Sequence, residues 1–332
     1  MNTSDILSNT FMILGFVLSL YSCVSNDIIQ TLGTFLSSTR EKPVWMIWLF
    51  TSLVLVLTLG IGWYLNGGDM AFGRLDRIPF AEHFYWWHIL PPIVLIALTK
   101  KGIPVGTAFL ILSLFSSTTV TGLIILNSLK GYILAFISSF ILYFFISRSI
   151  EKYFLYTNHK KVPLPWVIVK WVSTAVLWSA WLMQDGSKVY VYLPRHLTFA
   201  QMALTLIAFC ALLLVICYTR GGEIQNIIKL KTNTQDIRSA AIIDFVYASI
   251  LVYFQLASNI PISTTWVFIG VLAGREVAMY NRIRFETDKK VVKHVIKDLT
   301  KTTIGLVVSM AIVVFIKNMD LIFGIIHQYI HL

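Results

Sequence analysis

The chain has 332 residues, 57% of them hydrophobic and only 13% charged, and carries a formal net charge of +11. That balance excludes a soluble domain of this length and fits a polytopic membrane protein. The basic residues lie in short loops between apolar runs, so the charge reports orientation under the positive-inside rule, and no nucleic-acid partner is expected.

Apolar runs long enough to cross a bilayer, about 20 residues each, recur along the whole chain. They predict ten crossings, at residues 11–37, 44–65, 84–99, 103–126, 131–147, 164–195, 198–218, 239–256, 261–280 and 303–327. The first run, around Met12 to Val24, lacks the small-residue cleavage site of a secretory signal and reads as part of the mature fold. It leads into "SNDIIQTLG" (Ser25 to Gly33), where an aspartate costs several kcal/mol unless it is paired, protonated or facing water. On a helix Asn26, Asp27, Gln30 and Thr31 fall on nearly one face. Asp27 suits a cation, sodium or a proton, and its three neighbours can donate to an anion. The alternative is a polar network that holds helices together.

Next come the outer, acidic loop "NGGDMAFGRLDRIPFAEH" (Asn66 to His83) and the aromatic residues Trp45, Trp48, Tyr64, Trp86, Trp87, Trp166 and Trp171, read as an interfacial belt. His83 and His88 lack the i, i+4 spacing of a helical metal site, so no metal is expected there. "KGIPVGTAFLIL" (Lys101 to Leu112) precedes the basic loop Arg148 to Lys161. In "QDGSKVYVYLPR" the residues Gln184, Asp185 and Ser187 can line a site. The plain account of Lys188 is snorkelling to the headgroups; the sharper one is a tethered positive charge in place of a free sodium ion. Cys23, Cys210 and Cys217 sit in apolar surroundings and read as buried thiols. Gly221-Gly222 marks a turn, and Asp244 is expected to face a cavity or to pair with a basic residue such as Arg275.

"SNIPISTTWVFIGVLAG" (Ser258 to Gly274) puts three hydroxyl residues, Ser263, Thr264 and Thr265, after Pro261 at a helix start. An N-cap needs one hydroxyl, and the helix N-terminus also offers free N–H groups and partial positive charge to an oxyanion. The stretch matches Lys101 to Leu112 around an Ile-Pro-Val/Ile core. Asp27 precedes Pro104 by 77 residues and Asp185 precedes Pro261 by 76. With the loop 148–161 placed in the cytoplasm, Arg40/Lys42, Lys100/Lys101, Arg220 to Arg238 and Arg282 to Lys301 also fall inside, and the N-terminus falls outside. The two halves then run oppositely, which divides the chain into a first inverted repeat (1–150), a cytoplasmic linker (151–163) and a second repeat (164–332). The expected fold class is all-α integral membrane, about ten transmembrane helices in two inverted-topology repeats with broken helices.

"PISTTW" followed by "FIGVLAG", "SNDIIQTLGT" near the N-terminus and "GGEIQNIIKLKTNTQDIRSA" between them and the last hydroxyl helix resemble the signatures of the inorganic phosphate transporter (PiT) family. The resemblance implies a membrane carrier that moves phosphate, or sulfate, with sodium or protons, and a possible homodimer. It puts Asn26 and Asp27 at an Asn-Asp signature, Thr31 near the polar position after it, and Ser263, Thr264 and Thr265 at a Ser-Thr-Thr signature. The chain departs from the pattern at Trp266 (for histidine), at Gly106-Thr107-Ala108 (for the first Ser-Thr-Thr) and at Lys188-Val189 (for the second Asn-Asp, with Asp185 as the substitute carboxylate). The expected function is secondary active transport of an oxyanion, phosphate before sulfate, by alternating access in the cell membrane, with no enzymatic activity and no cofactor. The alternatives are a sulfate permease of the same fold or a sensor or scaffold that does not transport. The expected substrate-binding residues are Asn26, Gln30, Thr31, Thr107, Gln184, Ser187, Ser263, Thr264 and Thr265. Asp27 and Asp185 are expected to couple the cation, with sodium at Asp27, and Lys188 to supply the tethered charge.

Overall fold

The computed structural model describes residues 3–39, 41–100, 105–146, 149–150, 152–157, 162–219, 236–283 and 288–330. Pro104, the diglycine at 221–222 and most of the basic loops lie outside the described residues, which contain helices and no strand. Seven helical stretches are long and apolar enough to cross a membrane: Asp5–Ile28, Val44–Leu65, Thr118–Ile146, Leu164–Tyr190, Phe199–Thr219, Ile237–Ala257 and Val295–Ile322. The chain is a multi-pass membrane protein.

In chain order, α1 (Thr3–Cys23) passes through a π-helical turn (Val24–Ile28) into α2 (Ile29–Ser38), and α3 (Val44–Leu65) follows. After a long loop, a 3-10 turn (Trp86–Ile89) starts α4 (Leu90–Lys100); a second π-helical turn (Ala108–Leu112) then leads to the short α5 (Ser113–Phe115). The later elements are α6 (Thr118–Ile146), α7 (Lys152–Tyr156), α8 (Leu164–Asp185), α9 (Ser187–Tyr190), α10 (Phe199–Thr219), α11 (Ile237–Ala257), α12 (Thr264–Ile283) and α13 (Asp288–Ile330).

Two of the ten expected crossings change. The span expected at 103–126 is instead a returning arm: Phe115, at its end, packs 6.0 Å from Phe84 and 5.5 Å from His88 by ring centroids, beside the start of α4. The chain therefore dips in and comes back on the same side. The expected break between residues 126 and 131 is absent, because α6 runs through it for 29 residues. The break falls earlier, where Ser116 is extended (φ −94, ψ 155) and the Ser117 hydroxyl accepts the Val120 N–H at 3.3 Å. Lys130 points outward, and Gly131 is buried where a Cβ would meet Val267 at 3.0 Å.

The innermost helix is α12, buried on every side from Thr264 to Ala273. It lies on the face of α6 that buries Val120, Ile124, Ser128, Gly131, Ala135, Ser139 and Tyr143, a repeat of three or four residues. The approach is close because Gly270 and Gly274 present no side chain. A Cβ at Gly270 would meet the Tyr132 carbonyl oxygen at 2.6 Å, and one at Gly274 the Phe136 carbonyl oxygen at 2.2 Å. Small residues four apart let two membrane helices gain dispersion contacts that lipid cannot offer. The opposite face of α6 exposes Leu126, Leu129, Ile133, Ile137, Ile141 and Phe145, which suits acyl chains.

The aromatic belt is split. Trp45, Tyr64 and Trp86 are exposed as expected, whereas Trp48 donates to the Cys210 carbonyl (2.9 Å), Trp87 is buried against Asp320, and Trp171 packs edge-on against Phe35 and Phe50.

Candidate functional site

Three interruptions of helix meet at one point: the π-turn after α1, the start of the returning arm at residues 105–107, and the N-terminus of α12. A fourth element, the α8–α9 junction, completes the set. Gly186 there keeps helical dihedrals (φ −54, ψ −33), so the junction is a bulge and the chain runs on through it; a Cβ would strike the Leu182 carbonyl oxygen at 2.7 Å.

The centre is an ionic triad with no exposure to solvent beyond 1%. Lys188 Nζ lies 2.8 Å from Asp185 Oδ2 and 3.2 Å from Asp27 Oδ2. The snorkelling account of Lys188 is thus corrected: the ammonium turns inward to two carboxylates, the ion-pair partners it has among the described residues. Asp27 Oδ2 also accepts from the Thr107 hydroxyl at 2.5 Å, and Oδ1 accepts from Asn26 at 2.8 Å and Thr265 at 3.4 Å. Asp185 Oδ2 accepts from the Thr264 hydroxyl as well, while its Oδ1 is buried with no donor. Asn26 and Thr265 both reach the Val105 carbonyl, at 3.1 and 3.5 Å, which ties the returning arm to the triad.

Ser263 stands at the N-cap of α12. Its carbonyl accepts from Trp266 and Val267, its N–H donates to Ser128 Oγ at 2.8 Å, and its own hydroxyl is buried without a partner. Gly106 makes room for that hydroxyl, which would sit 2.5 Å from a Cβ. Tyr247 donates to the Thr264 carbonyl at 3.0 Å and braces the helix start.

Of the residues singled out in the sequence, Asn26, Asp27, Thr107, Asp185, Lys188, Thr264 and Thr265 share this one network, and Ser263 borders it. Thr31 bonds back to the Asp27 carbonyl (3.2 Å) and Ser187 to the Gln184 carbonyl (3.1 Å), so both hydroxyls serve their own helices. Gln184 donates to the Leu251 carbonyl at 3.2 Å and leaves its Oε1 unpartnered. Gln30 is buried one turn along from Asn26. Asp27, Asp185 and the hydroxyls of Thr107, Thr264 and Thr265 are hard oxygen donors, and the Lys188 ammonium lies against the two carboxylates.

The sequence reading missed two buried charges. Asp244 pairs with Lys170 at 2.6 Å rather than with Arg275, and it also accepts from Thr34 (2.6 Å) and Thr174 (2.7 Å). The signal was there: a single lysine in the apolar run "LPWVIVKWV" demands a counter-charge. Arg74, in the loop between α3 and α4, is 1% exposed; no local pattern marks it.

No protein-family model and no curated protein matches the chain. Among solved structures it is similar to one described as "The sodium-dependent phosphate transporter", with a TM-score of 0.61 over 94% of this chain and 99% of that one, at 14% identity. The two share one architecture over nearly their whole lengths, so this chain has a membrane-transporter fold.

Proposed function

We propose that the chain is a secondary carrier of an inorganic oxyanion, phosphate before sulfate, that couples uptake to a cation by alternating access. The reading rests on one observation: a helix N-terminus with three hydroxyls faces a fully buried Asp27–Lys188–Asp185 triad. A helix that only had to sit in lipid gains nothing from such a cluster. An oxyanion at this point is offered the N–H groups of the first turn of α12 and the Ser263 hydroxyl that has no partner, and the hydroxyls of Thr264 and Thr265 once they turn from Asp185 and Asp27.

Electrostatics argue for coupling. Two carboxylates against one ammonium leave one negative charge in excess when all are ionised, and an entering anion adds to it. In a medium this poorly polarisable the anion enters only with a compensating cation. Asp185 Oδ1, buried without a donor, is the open acceptor for a proton or a sodium ion. The resemblance to phosphate transporters and the fold shared with a transporter support phosphate as the first substrate. The alternative, a sensor or scaffold that binds without moving its ligand, draws on the same triad, because Lys188 already neutralises much of what a free cation would.

The test is uptake of labelled phosphate into proteoliposomes, with sodium and proton gradients imposed separately and sulfate as competitor. Saturable uptake driven by one gradient is expected. Asp27→Asn is expected to abolish gradient-driven uptake, and Ser263→Ala with Thr264→Ala to raise the half-saturating phosphate concentration. Binding without flux selects the sensor reading; wild-type kinetics in both variants removes this site.

A further inference from the structure

Arg74 belongs to the loop between α3 and α4, yet its side chain is as buried as the triad. Its guanidinium touches only neutral oxygens: the carbonyls of Ser258 (2.5 Å), Ile260 (3.2 Å) and Phe254 (3.4 Å) and the Gln255 amide oxygen. Its Nε has no partner, and among the described residues no carboxylate lies within ion-pairing distance of it. Burial pulls its pKa down to about 10, and the pull is opposed by the carboxylate of Asp185. An arginine buried without a counter-anion is rare, because a buried charge is ordinarily paired.

The loop is built to hold it there. Asp69 accepts from the N–H groups of Ala71 and Gly73, at 2.7 Å each. Phe72 takes a left-handed φ of 54° and inserts its ring where a Cβ on Gly62 of α3 would lie. Arg195, from the far side of the site, clamps the carbonyls of Ile78 and Pro79 at 3.0 Å. The oxygens that Arg74 holds are those at the end of α11 and in the segment that runs into Pro261 and Ser263. The guanidinium therefore anchors the segment that leads into the hydroxyl-rich helix start.

We propose that Arg74 is an anion ligand of this site, held on neutral carbonyls until a tetrahedral oxyanion arrives from the loop side. The inference rests on the carrier reading above and adds a specificity-determining residue to it. A guanidinium fork matches two oxygens of such an anion, and an anion adds a direct ion-pair attraction that the neutral carbonyls it would leave do not offer. Binding the anion would also release the end of α11 from the loop, which links occupancy to opening on that side.

The experiment measures phosphate uptake and phosphate-dependent thermal stabilisation for the purified full chain and for Arg74→Gln and Arg74→Lys. In Arg74→Gln, which keeps donors for the carbonyls but loses the charge, the half-saturating phosphate concentration is expected to rise tenfold or more. In Arg74→Lys, which keeps the charge but loses the fork, a severalfold rise and a weaker preference between phosphate and sulfate are expected. Half-saturation equal to wild type in either variant, even with a lower melting temperature, overturns the proposal and leaves Arg74 as a stitch in the loop. Should Arg74→Gln not fold, Arg74→Lys decides alone. A wild-type protein that neither moves nor binds phosphate is a different result: it overturns the carrier reading itself.

Discussion

Lys170 and Lys188 are the two lysines of the membrane interior that bear on carboxylates, and both sit on the α8–α9 segment. Lys188 keeps a second carboxylate if one is lost, whereas Lys170 bears on Asp244 alone, so removing Asp244 leaves a buried charge with only hydroxyls beside it. Asp244→Asn, which strands the Lys170 ammonium beside Thr34 and Thr174, is expected to destabilise the protein by about 3–5 kcal/mol. Thermal unfolding in detergent reads this directly. Removing both charges with Lys170→Met and Asp244→Leu is expected to cost less than the single change. At this scale the sequence was partly legible. Asp27, Asp185 and the hydroxyls after Pro261 stand out because polar groups in apolar runs demand an explanation, whereas their partners do not. Nothing in a linear pattern says that Lys188 faces inward or that Arg74 leaves its loop, since both depend on which helices meet.

Among the elements, the α6–α12 contact carries the most consequence for packing. Gly274 abuts the backbone of Phe136 so closely that even a methyl group forces the helices apart. Gly274→Ala is expected to destabilise the fold by about 1–3 kcal/mol. Because α12 carries Thr264 and Thr265, the same change is expected to lower anion affinity although it touches no ligand; thermal unfolding and half-saturation measured together check this. Helix existence was legible almost throughout, since apolar runs of this length leave few alternatives. The helix breaks were legible in part. The polar patch Ser25 to Gly33 marks the first π-turn and Pro261 the start of α12, whereas the second π-turn, Ala108–Leu112, is apolar throughout and carries no such mark. A glycine such as Gly131 can mark a loop or a site of close helix contact, and the two uses cannot be told apart without the partner helix.

For the whole molecule, the returning arm changes the topology. A cysteine at Ser117 and one at Glu82 are expected to react with a membrane-impermeant reagent from the same face, and one at Tyr156 from the other. Background labelling should be small, as Cys23 and Cys217 are buried and Cys210 is half-buried. A cysteine at Ser117 that stays unreactive from both faces would restore the ten-crossing arrangement, which puts residue 117 within a span.

The covalent bond that holds the Lys188 ammonium has an electrical consequence. A free ion that rides with a substrate is delivered on the far side and shows up as sustained current. A side-chain ammonium shifts within the membrane field as the protein changes state, then shifts back when the protein resets. It can produce a brief displacement current at each voltage step, but it adds nothing to the charge carried per turnover.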